Sequence, residues 1–251
     1  MTRIGFSTGA LALGNFEKAL ALLRGKNTSA IELSALRTPE LPKLIAALPS
    51  LELKEFSYVA VHAPSFFTPE QEGTVVRQLM EVPKEYPIIL HPDAVHDFAK
   101  WSDLQAQLLL ENMDRRKADG RSARELQGWF NRFPEARLCL DLAHAQHVDP
   151  TMTEASQIIS TLGSRICQVH ISELDSNSHH HPMSYSALRA FAEVAYSIVK
   201  DAAFIIESNL VESPDPSVQI DDELEKVRNL LSRTEWDCAP AWTDQSPACV
   251  H

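Results

Sequence analysis

Short apolar runs recur along the chain, each followed by a polar turn and a stretch with helical spacing. The runs are Arg3–Ser7, Ala30–Ser34, Tyr58–His62, Pro87–His91, Leu108–Glu111, Arg137–Asp141, Ile166–His170 and Ala203–Glu207. They are nearly continuous in hydrophobic residues rather than alternating, the pattern of parallel strands covered on both faces. Their starts lie 27, 28, 29, 21, 29, 29 and 37 residues apart. One strand, one crossover helix and two loops need about 30 residues.

The intervening stretches predict helices. Asn15–Arg24 carries Phe16, Ala19, Leu20 and Leu23 at helical spacing and meets Gly25 as a stop. Thr38-Pro39-Glu40 reads as an N-cap followed by proline and opens a helix over Glu40–Ala47. Thr68-Pro69-Glu70 repeats the device ahead of Val75, Val76 and Leu79. Further helices are expected over Ser122–Phe133, Thr151–Leu162, Ser184–Lys200 and Asp221–Ser232, with a shorter one between Asp93 and Gln107. Eight strand–helix units predict an α/β protein, a single (β/α)8 TIM barrel over residues 1–235. A doubly wound open sheet is the alternative, but no G-x-G-x-x-G follows the first run and no shift in composition divides the chain. Residues 236–251 read as a short irregular C-terminal tail, with Trp236 and Trp242 as candidates to pack it.

Composition narrows the function classes. The hydrophobic fraction of 44% and charged fraction of 23% exclude wholesale disorder. Only 8 glycines leave little material for phosphate-cradling loops. A net charge of −11 argues against a face-wide nucleic-acid footprint. Of the four cysteines, Cys139 and Cys167 sit in apolar runs and read as buried thiols; Cys238 and Cys249 lie in the tail, where a disulfide stays open. The first apolar stretch is broken by Gly5, Ser7, Thr8 and Gly9, and no apolar run approaches 18 residues. A cytoplasmic protein without membrane contact is expected, and the sequon at Asn27-Thr28-Ser29 is then incidental.

In a barrel, chemistry sits at the C-terminal ends of the strands. Six consecutive runs here end in His62, His91, Glu111, Asp141, His170 and Glu207, and His144 follows Asp141 by three residues. Three carboxylates converging on one mouth would repel and raise one another's pKa values. One or more divalent cations remove that cost, and a mixed imidazole and carboxylate set suits Zn, Mn, Co or Fe better than Ca. The bland readings are satisfied strand-end histidines for His62 and His91 and a helix-capping role for His144. His96 and His147 lie in helical stretches and read as surface or packing residues. The run His179-His180-His181 is either a solvated loop or a contributor to metal or substrate binding, with His179 and His181 the candidates.

The ordered set His62-Ala63-Pro64, His91-Pro92, Glu111-Asn112, Asp141-Leu142-Ala143-His144, His170-Ile171 and Ile206-Glu207-Ser208 resembles the xylose isomerase-like TIM-barrel superfamily over about residues 3–235. That group includes endonuclease IV and many sugar isomerases and epimerases. Its ketose epimerases hold one divalent metal through Glu, Asp, His and Glu, which Glu111, Asp141, His170 and Glu207 match. Endonuclease IV-like enzymes hold three zincs, and His62, His91 and His144 match their additional histidines. Their Asp-x-His pair after strand seven is missing; Asn177-x-His179 is the nearest form, which counts against a third ion.

The resemblance implies a divalent-metal-dependent sugar or sugar phosphate isomerase or epimerase, with one Mn, Co, Mg or Zn ion as cofactor. Glu111 and Glu207 would be catalytic, passing a proton through an enediolate. Glu32, His144, His179 and His181 are the candidate substrate contacts, and Arg115-Arg116-Lys117 the candidate phosphate contacts. The alternative is an endonuclease IV-like zinc phosphodiesterase acting on abasic DNA with two or three zinc ions, and a third class is a barrel that binds a ligand without turnover. The expected partner is a small sugar. Nucleic acid is the partner only under the alternative, and a homo-oligomer stays open.

Overall fold

The computed structural model describes residues 2–198 and 201–232. The predicted tail 236–251, with Trp236, Trp242, Cys238 and Cys249, lies outside the described residues. Strands β1 (Arg3–Ser7), β2 (Ala30–Ser34), β3 (Tyr58–His62), β4 (Ile88–Leu90), β5 (Leu108–Glu111), β6 (Arg137–Asp141) and β7 (Ile166–Ile171) run parallel around a ring. A small antiparallel hairpin follows, β8 (Glu173–Leu174) and β9 (His180–His181). Strand β10 (Ala203–Ile206) then closes the ring between β7 and β1, giving a TIM barrel. The helices are α1 (Thr8–Ala12), α2 (Phe16–Leu23), α3 (Leu41–Ala47), α4 (Pro69–Leu79), α5 (Ala123–Arg132), α6 (Leu142–Val148), α7 (Thr153–Leu162), α8 (Tyr185–Ala195) and α9 (Pro216–Ser232). Among the described residues no helix is long and apolar enough to cross a membrane.

Strand alternation sorts the apolar residues into two layers. Ile4, Phe6, Ile31, Leu33, Val59, Val61, Ile88, Leu90, Leu108 and Leu110 belong to the main core between sheet and helices. The intervening positions, Ala60, Ile89, Leu109 and Cys139 with Ala30, Ala203 and Ile205, form two small clusters of their own, the filling of the bore. Gly5 stands in register with Ala30, and a Cβ there would lie 1.6 Å from the Ala30 carbonyl oxygen. Among the described residues, Cys139 and Cys167 form no disulfide.

The expected fourth helix is not α-helical. Residues Pro92–Ala94 and Phe98–Gln107 form 3-10 turns. Their backbone is tied from outside: the buried Glu72 of α4 accepts from His96 N (2.7 Å), Asp97 N (3.0 Å), the Trp101 indole (3.0 Å) and Lys100 Nζ (3.0 Å). His96 therefore sits in a turn, its Nε2 2.8 Å from the Phe67 carbonyl. Helix α9 starts five residues before the expected Asp221, and α8 ends at Ala195, short of the expected Lys200. Helices α1 and α6, which follow β1 and β6 directly, carry no signal in the apolar pattern.

Candidate metal centre

Seven positions on the bore side are each followed, two residues on, by a polar one at the mouth. Ala30 leads to Glu32, Ala60 to His62, Ile89 to His91, Leu109 to Glu111, Cys139 to Asp141, Gln168 to His170 and Ile205 to Glu207. A period of two places all of them on the bore side, at the C-terminal mouth. Ligand atoms of Glu111, Asp141, His170 and Glu207 lie within 4.8 Å of one another, and those of His62, His91 and Glu111 form a second group under the same limit.

The donor atoms fit a cation. His62 Nδ1 is 2.7 Å from the Ala63 carbonyl and donates to it, so the Nε2 lone pair faces Glu111 Oε2 at 3.3 Å. His170 Nε2 donates to Glu32 Oε2 at 2.8 Å. Its Nδ1 then faces Glu111 Oε1 (3.2 Å), Glu207 Oε2 (3.4 Å) and Asp141 Oδ2 (3.9 Å). Lone pairs facing lone pairs need a proton or a metal between them. Asp141 Oδ2 and His91 Nδ1 are buried without a hydrogen-bond partner among the described residues. An orphaned carboxylate oxygen inside the four-residue group is what a ligand position looks like before its ion is added.

Electrostatics follow the same geometry. Burial opposes ionisation of Glu111, yet the imidazoles of His170, His91 and His144 outweigh it and hold the carboxyl well below its usual range. Burial also opposes the His62 imidazolium, but the bond to Glu111 and the charges of Glu32 and Glu207 carry it up to about 9. Glu207 goes the other way: burial, opposed by His170 and reinforced by Glu111, pushes it up to about 8. Burial raises Asp141 as well.

His144, on the first turn of α6, stands outside both donor groups. Its Nδ1 is 2.9 Å from the Asn112 carbonyl and 3.3 Å from Glu111 Oε1. Asn112 also pairs reciprocally with the Asp141 backbone (2.9 and 2.7 Å), tying the ends of β5 and β6 together. Glu32 is fully buried beneath the centre and does not line the cavity; it holds His170 and accepts from Gln168 Nε2 at 2.6 Å. Gln168 Oε1 in turn accepts from the Tyr58 hydroxyl at 2.9 Å.

Above the centre lies a cavity of about 300 Å³. His179 and His180 both line it, whereas His181 does not; His181 points outward to Asp175 at 3.4 Å. His180 is the residue the sequence reading missed. Its Nδ1 sits 2.7 Å from Ser172 Oγ and 3.7 Å from Glu207 Oε2. Burial, with the nearby His144 imidazole, takes its pKa down to about 3. Neighbours on a strand face opposite ways, so a β9 strand is the signal that would have separated His180 from His181. His147 is half-buried on α6, 3.9 Å from Asp114. Lys117 pairs with Asp93 (2.7 Å), Arg116 bonds the Asn177 carbonyl, and neither lines the cavity.

No family model matches the chain, and no curated protein matches it in sequence. Solved structures match its fold. The 3-keto-D-glucoside 4-epimerase YcjR from E. coli is 13% identical with a TM-score of 0.61, covering 91% of this chain and 100% of that one. The IolI protein, solved with a binding zinc atom, is 13% identical at TM-score 0.61 over 92% and 98% of the two chains. A xylose isomerase-like TIM barrel protein from Mycobacterium smegmatis, in complex with magnesium, is 12% identical at TM-score 0.57 over 92% and 96%. The fold is that of the xylose isomerase-like TIM barrels.

Proposed function

We propose that this chain is a divalent-metal-dependent sugar isomerase or epimerase. The observation that carries the reading is the convergence of Glu111, Asp141, His170 and Glu207 within 4.8 Å at the C-terminal mouth. These four residues would hold the ion, which supplies Lewis acidity toward a substrate carbonyl and an adjacent oxygen. Glu111 and Glu207 come from β5 and the end of β10, strands separated in the ring by β6 and β7, so their carboxyls reach the site from different sides. One removes the proton from the carbon beside the carbonyl and the other returns it, with an enediolate between. His144 and His180 orient substrate hydroxyls. The epimerase among the fold neighbours supports this by analogy of fold.

A second reading, a phosphodiesterase acting on abasic DNA, is favoured by one observation. Glu111 is shared with the group His62, His91 and Glu111, which makes room for a second ion. The cavity wall weighs against it, since it holds no Lys or Arg among the described residues.

One experiment separates the two. Metal-loaded protein is incubated with a ketose panel in deuterated water and, in parallel, with a duplex containing one abasic site. Deuterium at the carbon beside the carbonyl, lost by at least about 100-fold in Glu207→Gln, is expected. Duplex cleavage without exchange would replace the isomerase reading with the phosphodiesterase one.

A further inference from the structure

The cavity above the metal centre has two unlike walls. One is polar, built by His144, Ser178, His179 and His180. The other carries Gly9, Ala10, Leu13 and Leu36, from the segments after β1 and β2, with Ser65 and Asn209 beside them. We propose that the substrate is an uncharged sugar carrying an apolar substituent, which lies on the wall of Leu13 and Leu36. This rests on the isomerase reading and names its substrate class.

Charge supports the first half. No Lys or Arg lines the cavity among the described residues. Three nearby cations are engaged elsewhere, Arg37 with Glu40, Lys117 with Asp93 and Arg116 with the Asn177 carbonyl, and the exposed Arg115 does not line the cavity. A phosphate ester would bring a dianion toward Glu111 and Glu207 with no Arg or Lys on the walls to receive it, the side chains most used for that purpose. Helix α1 begins beside the cavity but has five residues, too short for a useful dipole.

Shape and exposure support the second half. Leu13, which lines the cavity, is 49% exposed. The loops after β2 and β3 are joined there, Ser65 N donating to the Leu36 carbonyl at 3.1 Å and Thr38 Oγ1 to the Phe66 carbonyl at 3.2 Å. Leu13 is held at φ 52°, a region a bulky side chain rarely enters. Its N–H is fixed by the Gly9 carbonyl at 3.0 Å. Gly9 lets α1 close on Leu36; a Cβ there would come within 3.1 Å of Leu36 Cδ1. Backbone strain that presents an apolar side chain to a cavity is placed where a ligand can use it.

The test uses three ketohexoses that differ only at C6: D-fructose, D-fructose 6-phosphate and 6-O-benzyl-D-fructose. Calorimetry on the full chain, with metal present, is expected to give the benzyl ether an affinity roughly 10-fold above fructose, and the phosphate no gain. In Leu13→Ser the ratio of benzyl to unsubstituted affinity falls toward one. Leu36→Ser, at the other apolar side chain of this wall, reduces the same ratio. A phosphate preference, equal affinities, or a dimer dissociated by Leu13→Ser would overturn the proposal, the last assigning the rim to a second copy. Deuterium exchange on the same ligands keeps the two readings apart. A benzyl preference without exchange sinks the isomerase reading alone, and exchange without preference sinks this one alone.

Discussion

Glu32 Oε2 lies 2.8 Å from His170 Nε2, and both side chains are fully buried. The carboxylate fixes which nitrogen of His170 carries the proton and aims the other at Glu111, Asp141 and Glu207. Partners of this kind are worth about 10–100-fold in metal affinity. Glu32→Gln is expected to weaken divalent-metal binding by that factor, measured by competition with a fluorescent chelator, while the circular dichroism of the barrel is unchanged. Unaltered affinity would mean that His170 is oriented by packing alone.

Metal binding must displace protons. Among the four proposed ligands, Glu207 is raised to about 8 by burial, and His170, whose burial opposes its charge, is held well above its usual range by the carboxylates around it, so both carry protons at neutral pH without a metal. Ligands have to be deprotonated to bind. Affinity should therefore climb as pH rises from 6 to 9, by up to about tenfold per pH unit for each proton released. Calorimetry in buffers of different ionisation enthalpy counts those protons, and a pH-independent constant would contradict the assignment of Glu207 as a ligand.

Glu72 makes a separate prediction about stability. Burial opposes its charge, but bonds from Trp101, the Asp97 and His96 backbones and Lys100 overcome this and pull its pKa from 4.5 to about 2. An acid depressed in the folded state stabilises above its unfolded pKa and loses that contribution as pH falls through the folded value. The contribution is on the order of 3 kcal/mol, complete above about pH 5 and gone near pH 2. Urea midpoints of the parent and Glu72→Gln should converge across that window.

Two glycines should respond oppositely to alanine. At Gly5 the new Cβ would strike the Ala30 carbonyl, and backbone cannot give way there without opening the β1–β2 pairing. Gly5→Ala should cost on the order of 4 kcal/mol or more. Gly128, inside α5, meets nothing within 4 Å. Gly128→Ala should stabilise by about 0.5–1 kcal/mol. Thermal midpoints of the two variants check both signs.

The strands were legible because each is covered on both faces, which leaves an unbroken apolar run such as Leu108–Leu110. The polar mouth was legible for the same reason: Glu111 or His170 at the end of such a run has few bland explanations. What the sequence concealed depends on contacts between distant segments. The turns over Phe98–Gln107 are organised by Glu72, 24 or more residues earlier. Glu32 looks from its position in AIELS like a cavity residue, yet the ring of His170 closes over it. His180 and His181 are adjacent and identical, and a two-residue strand decides which one faces inward.

The chain of bonds from Tyr58 through Gln168 to Glu32 and His170 joins β3, β7 and β2, and neither β2 nor β3 adjoins β7 in the ring. It crosses the bore rather than following the sheet. Slipping β2 by one residue would bring Ile31 or Leu33 inward in place of Glu32. The Gln168 amide and the His170 imidazole would then each lose the buried carboxylate that both contact, and a lost buried hydrogen bond costs about 1–3 kcal/mol. Closure of the barrel is thereby checked across its diameter, and a misaligned ring is penalised at the very strands that must deliver the ligands.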